Sequence, residues 1–91
     1  YLYNMANRRR LKKAINNICS DLMLVNVVVL QDKPQSTEKL ETIGQEILAL
    51  NVEFVKRISH TEPGSVRLFY AKLRQEFSEK VRNIYGLLSQ A

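Results

Sequence analysis

Leu40-Glu41-Thr42-Ile43-Gly44-Gln45-Glu46-Ile47-Leu48-Ala49-Leu50-Asn51-Val52-Glu53-Phe54-Val55-Lys56-Arg57-Ile58 is the stretch that decides the fold class. Leu40, Ile43, Ile47, Leu50, Phe54 and Ile58 recur at steps of three and four. That spacing lines one face of a helix with 3.6 residues per turn. Leu48 and Val55 widen the face. A half-buried strand would alternate at a period of two, and this stretch does not.

The same period runs on both sides of it. Toward the amino terminus, Leu11, Ile15, Ile18, Leu22, Val25 and Val29 fall within about 40° of one line at 100° per residue, with Ala14 and Cys19 at the edges. Toward the carboxyl terminus, Val66, Phe69, Leu73, Phe77, Val81, Ile84 and Leu88 form a third stripe, with Tyr70 and Tyr85 beside it. Gln31-Asp32-Lys33-Pro34-Gln35-Ser36 and His60-Thr61-Glu62-Pro63-Gly64-Ser65 separate the three segments. Each separator holds a proline flanked by cap-forming residues. The expected helices are about 7–31, 36–60 and 65–89, each roughly 36–40 Å long at 1.5 Å per residue.

Local signals agree. Ser36 or Asp32 is an N-cap candidate for the second helix. Asp32 with Gln35 reads as a capping box, with Pro34 tolerated in the first turn. Glu38 and Glu41 suit the positive end of that helix's dipole, and Lys56, Arg57 and His60 its negative end. Ser65 is the natural cap of the third helix, although Glu62 with Pro63 would start it earlier. Glu53–Arg57 and Glu76–Lys80 stand at i,i+4 in the favourable order. Three helices of similar length on short loops pack most simply as an antiparallel up-down-up three-helix bundle. The expectation is an all-α fold in one domain spanning residues 1–91.

Composition bounds the class. The chain is 45% apolar and 25% charged, with three Gly and two Pro, too few turn residues for a β-sandwich or barrel. Cys19 is the only cysteine, which excludes an internal disulfide and fits a reducing cytoplasm. The longest apolar run, Leu22 to Leu30 broken by Asn26, is short of the about 20 residues a bilayer crossing needs. No membrane span is expected. Tyr1 to Asn7 does not read as a charged leader before an apolar region, and since the chain opens on Tyr1 rather than Met, an export signal removed ahead of it is compatible with the sequence.

Two features stand out from this frame, both in the first segment. The formal net charge is +5, and the five cations Arg8, Arg9, Arg10, Lys12 and Lys13 account for it, because the other nine basic residues balance nine acids. On a helix these five point in nearly all directions, a solvated collar rather than a recognition face. Cations at a helix start oppose the dipole, so the cluster is kept for contact with a polyanion or the helix begins before it. The second feature is Leu22-Met23-Leu24-Val25-Asn26-Val27-Val28-Val29-Leu30. Met23, Leu24 and Val27 fall more than about 100° from the centre of the stripe, where a bundle does not cover them. Self-association covers them. An extended Val27–Val29 segment is an alternative, since Val favours strands, and a surface for another partner is a third.

Gly44 and Asn51 project onto the core stripe of the second helix. A mid-helix Gly costs about 1 kcal/mol relative to Ala and points to close helix approach; a core Asn fixes register. Chemistry has little to build on. His60 is the only histidine, the acids are scattered over surface positions, and no metal-ligand spacing, phosphate loop or catalytic constellation can be placed. No enzymatic activity, cofactor, metal or small-molecule substrate is expected.

Asn7-Arg8-Arg9-Arg10-Leu11-Lys12-Lys13-Ala14-Ile15-Asn16-Asn17-Ile18-Cys19 resembles the opening of small uncharacterised helical proteins of gut-dwelling bacteria. The resemblance covers about a seventh of the chain and implies a helical bundle with no activity to carry over. The expected function is therefore a structural or protein–protein interaction role, with self-association through the first helix. The alternative is accessory nucleic-acid binding by residues 8–13, electrostatic and salt-dependent.

Overall fold

The computed structural model describes the backbone of residues 2–60 and 66–91 and the side chains of residues 7–60 and 66–91. The fold is all-α. Helix α1 runs Leu2–Asp32, α2 Thr37–Ser59 and α3 Val66–Gln90, and Pro34–Ser36 forms a 3-10 turn. The radius of gyration is 15.0 Å and the Cα extents are 50 × 17 × 15 Å. A compact domain of this length has a radius of gyration of about 12 Å, so the molecule is elongated along its helices.

The Val triplet stays helical, because α1 continues to Asp32. The helix also begins before the basic cluster. Arg8 lies beyond the first turn, where the dipole penalty on cations has faded.

The expected caps of α2 form differently. Asp32 ends α1, so it makes no capping box with Gln35, which sits in the 3-10 turn. Lys33 is the one non-helical residue between α1 and that turn; its N–H donates to the Val29 carbonyl at 2.8 Å. Ser36 occupies the N-cap position of α2 without a side-chain cap bond. Its hydroxyl instead donates to the Ala91 carbonyl at 3.5 Å, and Thr37 Oγ1 donates to the Pro34 carbonyl at 2.6 Å. Pro34 lacks an N–H and fixes its own φ, which suits the first position of a tight turn. At the other end of α2, the His60 N–H donates to the Lys56 carbonyl. The second separator, residues 61–65, and with it the Ser65 cap, lies outside the described residues.

The core is one cluster. α2 buries all six stripe residues and Gly44. α3 buries Tyr70, Leu73, Phe77, Ile84 and Leu88. α1 contributes Leu11, Ile15, Cys19, Leu22 and Asn26. Each large side chain buried this way stabilises the fold by about 1.5–3 kcal/mol. The face of α1 is rotated from the expected one: Cys19 and Asn26 are inside, while Ile18 is 38% exposed. Leu48 and Tyr85, expected at the edge of the core, are also exposed. Asn26 is tolerated inside because its amide donates to the Leu40 carbonyl at 3.0 Å, which answers the burial cost of one polar end. Asn51, expected in the core, is half-buried.

Ion pairs join α2 to α3. Arg57 Nη2 stands 2.6 Å from Glu76 Oε2, and Lys80 Nζ 3.3 Å from Glu53 Oε2. These are the four residues expected to pair within their own helices, with partners exchanged across the interface. Both cations flank the Phe54 ring, Arg57 Cζ at 4.8 Å and Lys80 Nζ at 5.7 Å from its centroid. Phe54 in turn meets Phe77 edge-on at 5.3 Å.

Candidate functional site

Helix α1 carries both sequence features, and packing sorts their residues. Leu24 is 64% exposed, Val28 56% and Val27 46%. Val28 follows Leu24 by one helical turn, so the two share a line opposite the buried Leu22 side. Met23 does not join them. It is half-buried against the core and lines a groove of about 240 Å³ between α1 and α2 with Cys19, Ser20, Ile47, Leu48 and Asn51. The outward apolar set is therefore Leu24, Val27 and Val28, with Met23 turned toward α2. Sequence reasoning missed Val28 because Ile18 and Val25 pulled the inferred centre of the stripe away from Cys19 and Asn26.

The basic cluster divides likewise. Arg9, Arg10 and Lys13 are exposed, whereas Arg8 and Lys12 are half-buried on the side of Leu11. The collar expected from sequence is thus a three-cation outer edge with two cations drawn inward.

Within Asn7–Asp32, helix α1 also contains an 18-residue window that meets the length and composition of a membrane-crossing helix, with a mean hydropathy of 1.4 and 22% of that window buried. The nine-residue run is extended by Ala14, Ile15, Ile18 and Cys19 into a longer apolar window. In the fold that window supplies Ile15, Cys19, Leu22 and Asn26 to the core.

Two further grooves, of about 270 and 320 Å³, run between α2 and α3 and share Glu46 and Leu87. Their floors are apolar, from Ile43, Leu50 and Ile84. Glu53 and Lys80 at one rim already pair with each other. Among the described residues no three His, Cys, Asp or Glu side chains converge to hold a metal ion. Burial pushes the Cys19 thiol above its ordinary pKa, the direction of a structural rather than a nucleophilic thiol. His60 is exposed at the end of α2.

No protein-family model, curated protein or solved structure matches this chain.

Proposed function

We propose that the protein is a non-enzymatic helical module that works by self-association through the outward face of the second half of α1. The observation that carries this reading is the exposure of Leu24, Val27 and Val28 on a helix whose opposite face supplies Leu22 and Ile15 to the core. Contiguous apolar surface on a domain of this size marks an interaction site. A second copy is the simplest partner, because a two-fold interface needs only one patch facing itself. Leu48 and Val52 of α2 are also exposed, at 56% and 61%.

The arrangement behind this reading is an antiparallel up-down-up three-helix bundle. Three observations support it: the Asn26–Leu40 hydrogen bond near the first turn, the Ser36–Ala91 hydrogen bond at the same end, and the Arg57–Glu76 and Lys80–Glu53 pairs farther along. Light scattering of the full chain at micromolar concentration tests the function. A dimer or larger species is expected; a strict monomer with Leu24 and Val28 in water rejects it.

A further inference from the structure

We infer that the end of the molecule opposite the Lys33–Ser36 turn is a composite basic pole that binds the phosphate backbone of nucleic acid without reading its sequence. The inference rests on the up-down-up arrangement proposed above, and it concerns a different surface from the self-association patch.

Along the sequence, the cations outside residues 8–13 cancel against the acids. In the fold they do not. The first third of α1 carries Arg8, Arg9, Arg10, Lys12 and Lys13. The last turns of α2 add Lys56 and Arg57, and the first half of α3 adds Arg67, Lys72 and Arg74. Residues 7–20 and 54–75 together hold ten basic side chains and one acid, Glu62, which lies outside the described residues. Residues 21–53 and 76–91 hold eight acids and four cations. The Arg57–Glu76 and Glu53–Lys80 pairs mark the border between the two halves. An up-down-up path brings the three cationic segments to one end, so the chain is a charge dipole, not a neutral body with a basic tag.

Seven of the ten cations are exposed: Arg9, Arg10 and Lys13 on α1, Lys56 on α2, and Arg67, Lys72 and Arg74 on α3. The molecule is 17 × 15 Å in cross-section. A duplex carries one charge per about 1.7 Å of axis, so a pole of that width faces about ten phosphates, more than its exposed cations need. A bilayer fits less well. Interfacial binding combines charge with apolar insertion on the same surface. Among the described residues, the basic segments expose two large apolar side chains, Ile18 and Leu68, whereas Leu24, Val27, Val28, Leu48, Val52, Tyr85 and Leu87 all lie in the acidic half. Charge on several helix ends with no ordered recognition face gives backbone contact rather than base readout.

The test is fluorescence anisotropy of the full chain with a mixed-sequence duplex of about 20 base pairs at two salt concentrations. Two variants are compared with the parent: Arg9→Gln/Arg10→Gln/Lys13→Gln on α1, and Arg67→Gln/Lys72→Gln/Arg74→Gln on α3. All six positions are exposed, and circular dichroism checks that both variants keep their helices. The expected result is that each triple variant weakens low-salt binding by about tenfold or more and makes the salt dependence shallower by about two to three in log–log slope. A scrambled duplex binds equally well. Absence of binding by the parent at low salt overturns the inference. So does an α3 variant that binds like the parent, which would leave residues 8–13 acting alone. Tighter binding to phosphatidylserine vesicles than to the duplex overturns it in favour of a lipid surface. None of these outcomes bears on self-association, which light scattering reads separately.

Discussion

The Asn26 side-chain amide crowds the position that a Cβ on Gly44 would take. Nδ2 lies 3.0 Å from that position while it donates to the Leu40 carbonyl. Gly44 is thus explained by a neighbouring side chain rather than by backbone contact between α1 and α2. Gly44→Ala alone should destabilise the fold by about 1 kcal/mol or more, because the buried amide is displaced from its acceptor. In an Asn26→Ala background the same change should stabilise by up to about 1 kcal/mol, the helix-propensity gain of Ala over Gly. A double-mutant cycle by urea unfolding reads this reversal of sign; equal effects in both backgrounds would contradict it.

The Arg57–Glu76 pair predicts a pH dependence. The hydrogen bond from Arg57 holds the Glu76 carboxyl below its ordinary pKa. A carboxyl lowered on folding adds stability above its unfolded pKa of about 4.3 and loses it as pH falls through the folded value. Wild type should exceed Glu76→Gln in stability near neutral pH, and the difference should shrink below about pH 4. Both side chains are about a third exposed, so the effect is small and weakens with salt. Unfolding midpoints of both proteins over a pH series provide the check.

Two leucines two positions apart should behave differently. Leu22 is fully buried and Leu24 is 64% exposed. Leu22→Ala should cost about 2–5 kcal/mol, a large share of the about 5–15 kcal/mol that holds a domain together. Leu24→Ala should change the stability of the isolated chain by about 0.5 kcal/mol or less. Thermal and urea denaturation at low protein concentration distinguish them.

Cys19 is 3% exposed and its thiol pKa is raised by burial. A thiol reagent should modify it about a hundredfold more slowly in the native protein than in denaturant, at a rate that follows local opening of the fold. Rapid, denaturant-independent labelling would contradict the placement of Cys19 in the core.

The three helices were legible from apolar spacing alone, and their ends fell within one or two residues for α2. The orientation of α1 was not, because apolarity ranks Ile18 above Cys19 and Val25 above Asn26. Packing chose the reverse once Asn26 found the Leu40 carbonyl and Gly44 left it room. Ion-pair partners were misread for a related reason. Glu53, Arg57, Glu76 and Lys80 satisfy the i,i+4 rule within each helix, but α2 and α3 lie close enough for the pairs to cross. Leu24 and Val27 were legible as surplus apolar residues, since an amphipathic helix has only one face to bury.

Self-association through α1 is tested most directly by sedimentation velocity of the full chain from about 1 to 100 μM, the range in which a micromolar dimer assembles. The prediction is a concentration-dependent dimer that becomes a monomer of unchanged helicity in Leu24→Ser/Val28→Ser. A monomer at every concentration, or a dimer indifferent to those two substitutions, would contradict it.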